Sequence, residues 1–175
     1  MAEAVRNEVA DGFSGTAKDY DSVVRFNIEG ARRLIASLPP GDHARVLDVG
    51  CGTGFASLAM VERFAPELIA GVDPAAGMLE AFREKLGAIE GTAIELHEAD
   101  VLAMPVEDGS FDAVICSMAF HWSRGSARRW PRWRARCARA ATSRCSARAA
   151  AASTSSGPSW RASSRRPSTG WARST

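Results

Sequence analysis

Between Asp21 and Ser37, apolar residues fall at Val24, Ile28, Ala31 and Ile35, followed by Leu38. Steps of three and four predict an amphipathic helix over 21–37. Asp21 or Ser22 is the expected cap and Pro39-Pro40 the stop. Residues 1–18 are small and polar, and read as a loosely held entry segment. From Arg45 the period changes. Arg45 to Val49 is a short β-rich run that meets a glycine cluster at Gly50, Gly52 and Gly54. Phe55 to Phe64 reads as a helix closed by Pro66, and Leu68 to Asp73 as a second strand. Pro74 suits the first turn of a helix reaching about Leu86, with Met78, Leu79, Phe82 and Leu86 on one face. Thr92 to Glu98 alternates as a third strand. A loop from Ala99 to Ser110 leads to a buried fourth strand over Phe111 to Ser117. Strands and helices in this order, with near-continuous apolar strands, predict an α/β fold with a parallel sheet covered on both faces.

The pattern stops after Trp122. From Ser123 to Thr175 only Ser, Arg, Gly, Ala, Trp, Pro, Cys and Thr occur. All eight are encoded by codons with G or C in the middle position. Leu, Ile, Val, Phe and Met, which need a middle T, are missing; so are the residues that need a middle A. Neither folding nor binding selects by the middle base of a codon. A G+C-rich gene read out of frame does, because its saturated third position then falls on the middle one. Rebuilding codons across junctions from Trp130 to Ala141 is compatible with A-E-M-A-R-x-V-R-P-G-G, an amphipathic helix ending in a Pro-Gly-Gly turn. The segment 123–175 is therefore expected to be an out-of-frame, disordered tail. It has too little apolar surface to offset its ordering entropy.

This break changes the meaning of the charge. The formal net charge is +2 over 175 residues. Residues 1–122 hold all 20 acidic residues against 9 basic ones; 123–175 hold 13 Arg and no acid. The chain is long enough for one domain. Cys51, Cys116, Cys137 and Cys145 have neither metal-ligand spacing nor a secreted disulfide pattern, so no metal is expected. The first residues, MAEAVRNEVADGF, lack a basic start and an apolar stretch, and no signal peptide is expected. No run approaches the ~18 apolar residues of a membrane span. A cytoplasmic location follows as the default.

Four places carry candidate chemistry. At Val46 to Gly54 a strand delivers the chain to a turn where Gly50 and Gly52 permit close backbone approach. The following helix would point free N–H groups at a ligand, which suits an anion or carboxylate; a turn that only packs strand on helix is the alternative. Asp73 ends the second strand, 19 residues after Gly54. It can accept from a ribose diol or cap the next helix. Asp100-Val101 follows the third strand: the carboxylate can accept from an adenine amine, or serve an exposed loop. Ser117 to Trp122 leave the end of the fourth strand, where parallel sheets bind ligands. His121 is a weak candidate for a general base, or an ordinary residue of the pocket edge.

These motifs, V-L-D-V-G-C-G-T-G, G-V-D-P-A-A-G-M-L, E-A-D-V and F-D-A-V-I-C-S-M-A-F-H-W, resemble the class I S-adenosylmethionine-dependent methyltransferases. The small-molecule, type 11 branch is the most similar, and F-S-G-T-A-K-D-Y-D at Phe13 to Asp21 is similar to its entry segment. The resemblance covers roughly 13–122. It implies a Rossmann-like domain over 21–122 after an entry segment at 1–20, S-adenosylmethionine as cofactor, and a small-molecule methyl acceptor. It also implies roles. Asp48, Gly50, Cys51 and Gly52, with Gly54 closing the motif, would hold the methionine part. Asp73 and Pro74 would hold ribose and adenine, and Asp100 and Val101 adenine. Ser117 would lie near the methionine end, His121 and Trp122 would face the acceptor, and Tyr20 would close over the cofactor. No specific nucleic acid and no membrane are expected as partners. The family continues with three more strands, which are missing here, so this reading describes a truncated member whose activity is in question.

Three other readings compete. A NAD(P)-dependent oxidoreductase shares the architecture, but its fingerprint wants a glycine three residues after the second, and Phe55 stands there. An Arg/Trp tail could bind single-stranded nucleic acid. Residues 1–122 could also be an inactive fragment that still holds cofactor.

Overall fold

The computed structural model describes residues 2–119; Phe120, His121, Trp122 and the segment 123–175 lie outside the described residues. Four strands form one parallel sheet: β1 (Arg45–Val49), β2 (Leu68–Asp73), β3 (Ala93–Glu98) and β4 (Ala113–Ile115). Their order is β3-β2-β1-β4. Val46 pairs with Ile69 on one side and Ala113 on the other. Asp48 pairs with Gly71 and Ile115, deep in the middle of the sheet.

Alternation along the strands explains the two faces. Val46, Ile69, Ala113 and Ile115 point to one face, where they pack against Ala31, Leu34 and Ile35 of α2 (Arg25–Ala36) and Ala56, Ala59 and Met60 of α3 (Phe55–Phe64). Leu79 and Phe82 of α4 (Ala76–Arg83) continue that layer over Ile94 and Leu96. Leu47, Val49, Ala70, Val72 and Val114 point to the opposite face. Among the described residues it is covered by Met104, Val106 and Phe111 of the long β3–β4 connection, not by a helix.

The entry segment departs from expectation. It is a helix, α1 (Ala2–Val23), where a loose segment was expected. Ala10, Phe13, Ala17 and Tyr20 form a stripe that packs on Ala75, Met78 and Ala81. The small residues that made the segment look structureless let it lie close to α4. A Cβ on Gly77 would sit 2.6 Å from the Ser14 carbonyl oxygen.

The helix expected over 21–37 is likewise shorter. Its first residue is Arg25, after a break at Val24 (φ −107°, ψ 44°), and it has no side-chain cap. Asp21 and Ser22 are engaged elsewhere: Ser22 Oγ donates to the Asp19 carbonyl, and Asp21 accepts from Thr53. The helix after Pro74 stops at Arg83, and Leu86–Ala88 form a separate 3-10 turn. The other boundaries agree with the sequence pattern to within a few residues.

Candidate functional site

The sheet has its topological switch at β1, between β2 and β4. Open parallel sheets bind ligands at such a point, beyond the carboxyl ends of the strands. A pocket lies there. Tyr20, Asp48, Gly50, Cys51, Gly52 and Ser117 line it, all singled out from sequence. So do Asn27, Thr53, Phe55, Ala56 and Met118, which were not.

The turn after β1 is built to bring backbone close to the pocket. Gly50, Gly52 and Gly54 have φ of +69°, +54° and +91°, the left-handed region that favours glycine. At Gly50 the reason is also steric, since a Cβ would lie 2.2 Å from Ala119 Cβ. Gly54 belongs to the core: a Cβ there would lie 2.3 Å from the Phe82 ring. Met118 adopts φ +60° without being glycine, a conformation that costs energy and is found disproportionately at functional sites.

Four amides of this turn are engaged within the protein. Gly50 and Cys51 N–H both donate to the Val72 carbonyl, at 2.8 and 3.2 Å, and Gly54 N–H donates to the Cys51 carbonyl. Gly52 N–H donates to Asp73 Oδ2 at 2.9 Å. What the pocket leaves unsatisfied is an acceptor. Ser57 Oγ donates to Asp48 Oδ2 at 2.7 Å, whereas Asp48 Oδ1 is buried without a partner. Asp48 is fully buried. Its carboxyl is pushed up to about 7, by desolvation first, with the Ser57 hydrogen bond pulling the other way and the Asp73 charge adding to the rise. Among the described residues, no lysine or arginine lines this pocket.

Asp73 serves two amides at once, with Oδ1 accepting from Ala75 N–H and Oδ2 from Gly52 N–H. One carboxylate thereby joins the residue before α4 to the glycine turn, whereas α4 itself has Ala75 at its N-cap and no side-chain cap, so the expected capping role is not taken up. Burial raises its carboxyl, and the two backbone hydrogen bonds oppose the rise. Pro74 is exposed beside it. Asp100 turns its own loop, accepting from Leu102 N–H at 2.8 Å, and Val101 packs on the cluster around Val72. Gly54, Asp73, Pro74, Asp100 and Val101 do not line the pocket itself. His121 and Trp122 fall outside the described residues.

Sequence reasoning missed a polar knot beneath the pocket. Thr53 Oγ1 donates to Asp21 Oδ1 at 2.7 Å. Lys85 Nζ pairs with Asp21, donates to the Thr53 carbonyl at 2.7 Å, and lies over the Phe55 ring. It ties α1 and the chain beyond α4 to the glycine turn. Asn27 Nδ2 donates to the Tyr20 hydroxyl at 3.1 Å. The 3.6-residue pattern hid Asn27, which sits among apolar positions without matching a motif.

Both cysteines near the site are poor nucleophiles. Burial, then Asp48 and Asp73, raises the Cys51 thiol well above its ordinary value. Burial, then Asp48, raises Cys116 to about 12. Thiols held protonated do not attack.

The arrangement fits a cationic, donor-rich ligand. A dinucleotide pyrophosphate would ask for backbone amides, and those of Gly50, Cys51, Gly52 and Gly54 are already used. A sulfonium amino acid asks for acceptors, and Asp48 Oδ1 is one.

Comparison with known proteins agrees. The methyltransferase-domain family matches residues 46–143. A malonyl-[acyl-carrier protein] O-methyltransferase of Legionella pneumophila is 36% identical over 121 residues, covering 68% of this chain and 42% of that protein. A demethylmenaquinone methyltransferase of Deinococcus radiodurans is 34% identical over 131 residues, covering 70% and 54%. The chain thus spans about half the length of these relatives. A methyltransferase solved with the Trm112 activator of Haloferax volcanii shares the fold, with a TM-score of 0.63 at 20% identity over 73% of this chain and 56% of that one. Phosphoethanolamine N-methyltransferase 1 of Haemonchus contortus, solved with phosphoethanolamine and S-adenosylhomocysteine, has a TM-score of 0.62 at 18% identity, over 79% and 31%. The chain belongs to the class I S-adenosylmethionine-dependent methyltransferases, with their Rossmann-like α/β fold and S-adenosylmethionine as the family cofactor.

Proposed function

We propose that this protein methylates a small-molecule acceptor, in the cytoplasm, from cofactor held at the β1 switch point. The observation that carries the reading is Asp48: a fully buried carboxylate with one oxygen unpartnered, beside a turn in which the Gly50, Cys51, Gly52 and Gly54 amides are already engaged. Bound there, S-adenosylmethionine supplies a methyl group already activated on a sulfonium. Asp48 and the backbone at Gly50, Cys51 and Gly52 hold the methionine end, and Asp73 the ribose. Pro74 flanks the adenine edge with Asp100 and Val101. Ser117 and Met118 set the wall next to which an acceptor would approach, and Tyr20 covers the opening. With the donor activated, alignment and exclusion of water are what the chain must contribute, and no protein nucleophile is needed.

The acceptors in the relatives' names are malonyl-[acyl-carrier protein] and demethylmenaquinone. Saturable binding of S-adenosylhomocysteine, with no binding of NAD, is the expected calorimetric result. Methyl transfer to an acceptor from radiolabelled cofactor completes the test. A chain that binds NAD but not S-adenosylhomocysteine defeats the proposal.

A second reading is favoured by the composition of 123–175, which holds 13 Arg and no Leu, Ile, Val or Phe. It takes that segment as an out-of-frame translation and the chain as a cofactor-binding, non-transferring member. Sequencing the coding DNA across codons 115–145 separates the two. A one-base correction that restores E-M-A-R-x-V-R-P-G-G returns the chain to the active reading. A confirmed frame, with binding but no transfer, supports the second.

A further inference from the structure

Asn27 has no role in any motif, yet it is the second unsatisfied acceptor of the pocket. It is 7% exposed and lines the pocket with Asp48. Its Nδ2 donates to the Tyr20 hydroxyl at 3.1 Å, and its Oδ1 is buried without a partner. A buried amide oxygen is costly to leave unpaired. Its neighbours on α2, Ala31, Leu34 and Ile35, are apolar and buried, so packing alone would be served better by an aliphatic residue at 27. The break at Val24 matters as well. Asn27 N–H donates to the Val24 carbonyl at 2.8 Å, which starts α2 afresh with Asn27 in its first turn, in reach of Tyr20.

Two unpartnered oxygens, Asn27 Oδ1 and Asp48 Oδ1, thus belong to one pocket but come from different elements, α2 and β1. A group that satisfies both needs several N–H donors and gains from positive charge. We propose that Asn27 is a binding residue for the α-ammonium of the cofactor's methionine end, which it holds jointly with Asp48. The same amide fixes the Tyr20 hydroxyl from its other end, so cofactor capture and the position of the entry helix share one side chain. This rests on the cofactor reading above.

The test compares two ligands on the full 175-residue chain by calorimetry. S-Adenosylhomocysteine carries the ammonium; 5′-methylthioadenosine keeps the adenosine and thioether but lacks it. Asn27→Ala is expected to weaken S-adenosylhomocysteine about tenfold or more and to leave methylthioadenosine within about twofold. Asn27→Asp, which keeps the shape and adds charge, is expected to bind S-adenosylhomocysteine at least as tightly as the wild type. Should Asn27→Ala fail to fold by circular dichroism, Asn27→Asp decides: binding weaker than wild type for S-adenosylhomocysteine alone overturns the proposal. Equal losses for both ligands, or no loss for either, overturn it while leaving the cofactor site standing. A wild-type chain that binds neither ligand overturns the cofactor reading and this inference together.

Discussion

Ser57 Oγ donates to Asp48 Oδ2 at 2.7 Å, while Asp48 Oδ1 is buried without a partner. The serine sits in the first turn of α3 and the aspartate in β1. Half of the carboxylate is therefore held from the helix above, and half is left for a ligand. Burial raises the folded-state value from 3.8 to about 7, so the folded protein binds more protons than the unfolded chain between those values. This group's contribution is fully present below about pH 4 and is lost as pH rises through about 7. The cost at pH 8 is of the order of 4 kcal/mol. Asp48→Asn keeps the Ser57 partner and removes the charge. Urea unfolding at pH 8 should show the variant more stable than wild type by a few kcal/mol, with the gap closing by pH 4. A variant less stable at pH 8 would mean that Asp48 is not held against its charge.

The same carboxylate couples cofactor binding to protons. A cation beside Asp48 favours its ionised form. Below pH 7, binding of S-adenosylmethionine should therefore release protons, and affinity should rise with pH before levelling off above about 7. Calorimetry at pH 6 in two buffers of different ionisation enthalpy measures the release directly. Ser57→Ala removes the hydrogen bond that lowers the Asp48 value, so the plateau should move to higher pH. An affinity that does not vary between pH 5.5 and 8 would place the cationic end elsewhere.

How far the sequence was legible follows from what each signal depends on. β1 and β2 were readable because burial on both faces makes Leu68 to Val72 a continuous apolar run and Val46 to Val49 one interrupted at Asp48 alone. The glycine turn was readable because left-handed backbone needs glycine. The helical entry segment was not readable: its apolar stripe of Ala10, Phe13, Ala17 and Tyr20 is half alanine, too weak a signal without the α4 surface that it covers. Which amides of the turn are engaged was not readable for a related reason. Whether Gly52 N–H is free depends on Asp73, 21 residues away, and local pattern carries no such information. Asn27 and the Asp21–Thr53–Lys85 knot are tertiary pairings of the same kind.

The glycines of the turn should separate by variant. Alanine at 50 or at 52 takes on left-handed strain of about 1–2 kcal/mol. At Gly52 a Cβ meets nothing within 4 Å, whereas at Gly50 it would lie 2.2 Å from Ala119 Cβ. Overpacking adds about 1–3 kcal/mol there. Gly50→Ala is thus expected to lose about 2–5 kcal/mol, and Gly52→Ala about 1–2. Because the excess comes from one pair of Cβ atoms, Ala119→Gly should recover much of it in the double variant and little in wild type. Additive losses in denaturant melts would show that the segment at Met118 and Ala119 is not seated on Gly50.

The entry helix should behave as a strap whose hold on the site can be cut at two places. One is steric: Gly77 lets α1 approach to where a Cβ would lie 2.6 Å from the Ser14 carbonyl oxygen, and Gly77 N–H donates to Ser14 Oγ at 3.3 Å. The other is polar. Lys85 pairs with Asp21, while Thr53 donates to the same carboxylate. Both Lys85 and Asp21 are partly exposed, so Lys85→Met should cost only about 0.5–1 kcal/mol in global stability. Its local effect should be larger. Tyr20 and Asn27 lie on either side of the α1–α2 break and line the pocket, and freeing α1 moves them first. Hydrogen exchange over residues 10–23 should speed up in Lys85→Met and more so in Gly77→Val, with β1 and β2 unchanged. S-Adenosylhomocysteine should slow that exchange again, because the ligand stabilises the closed form that it binds. If exchange in α1 is unaffected by either substitution, the helix is held by its apolar stripe on Met78 alone, and the knot at Lys85 serves only the glycine turn.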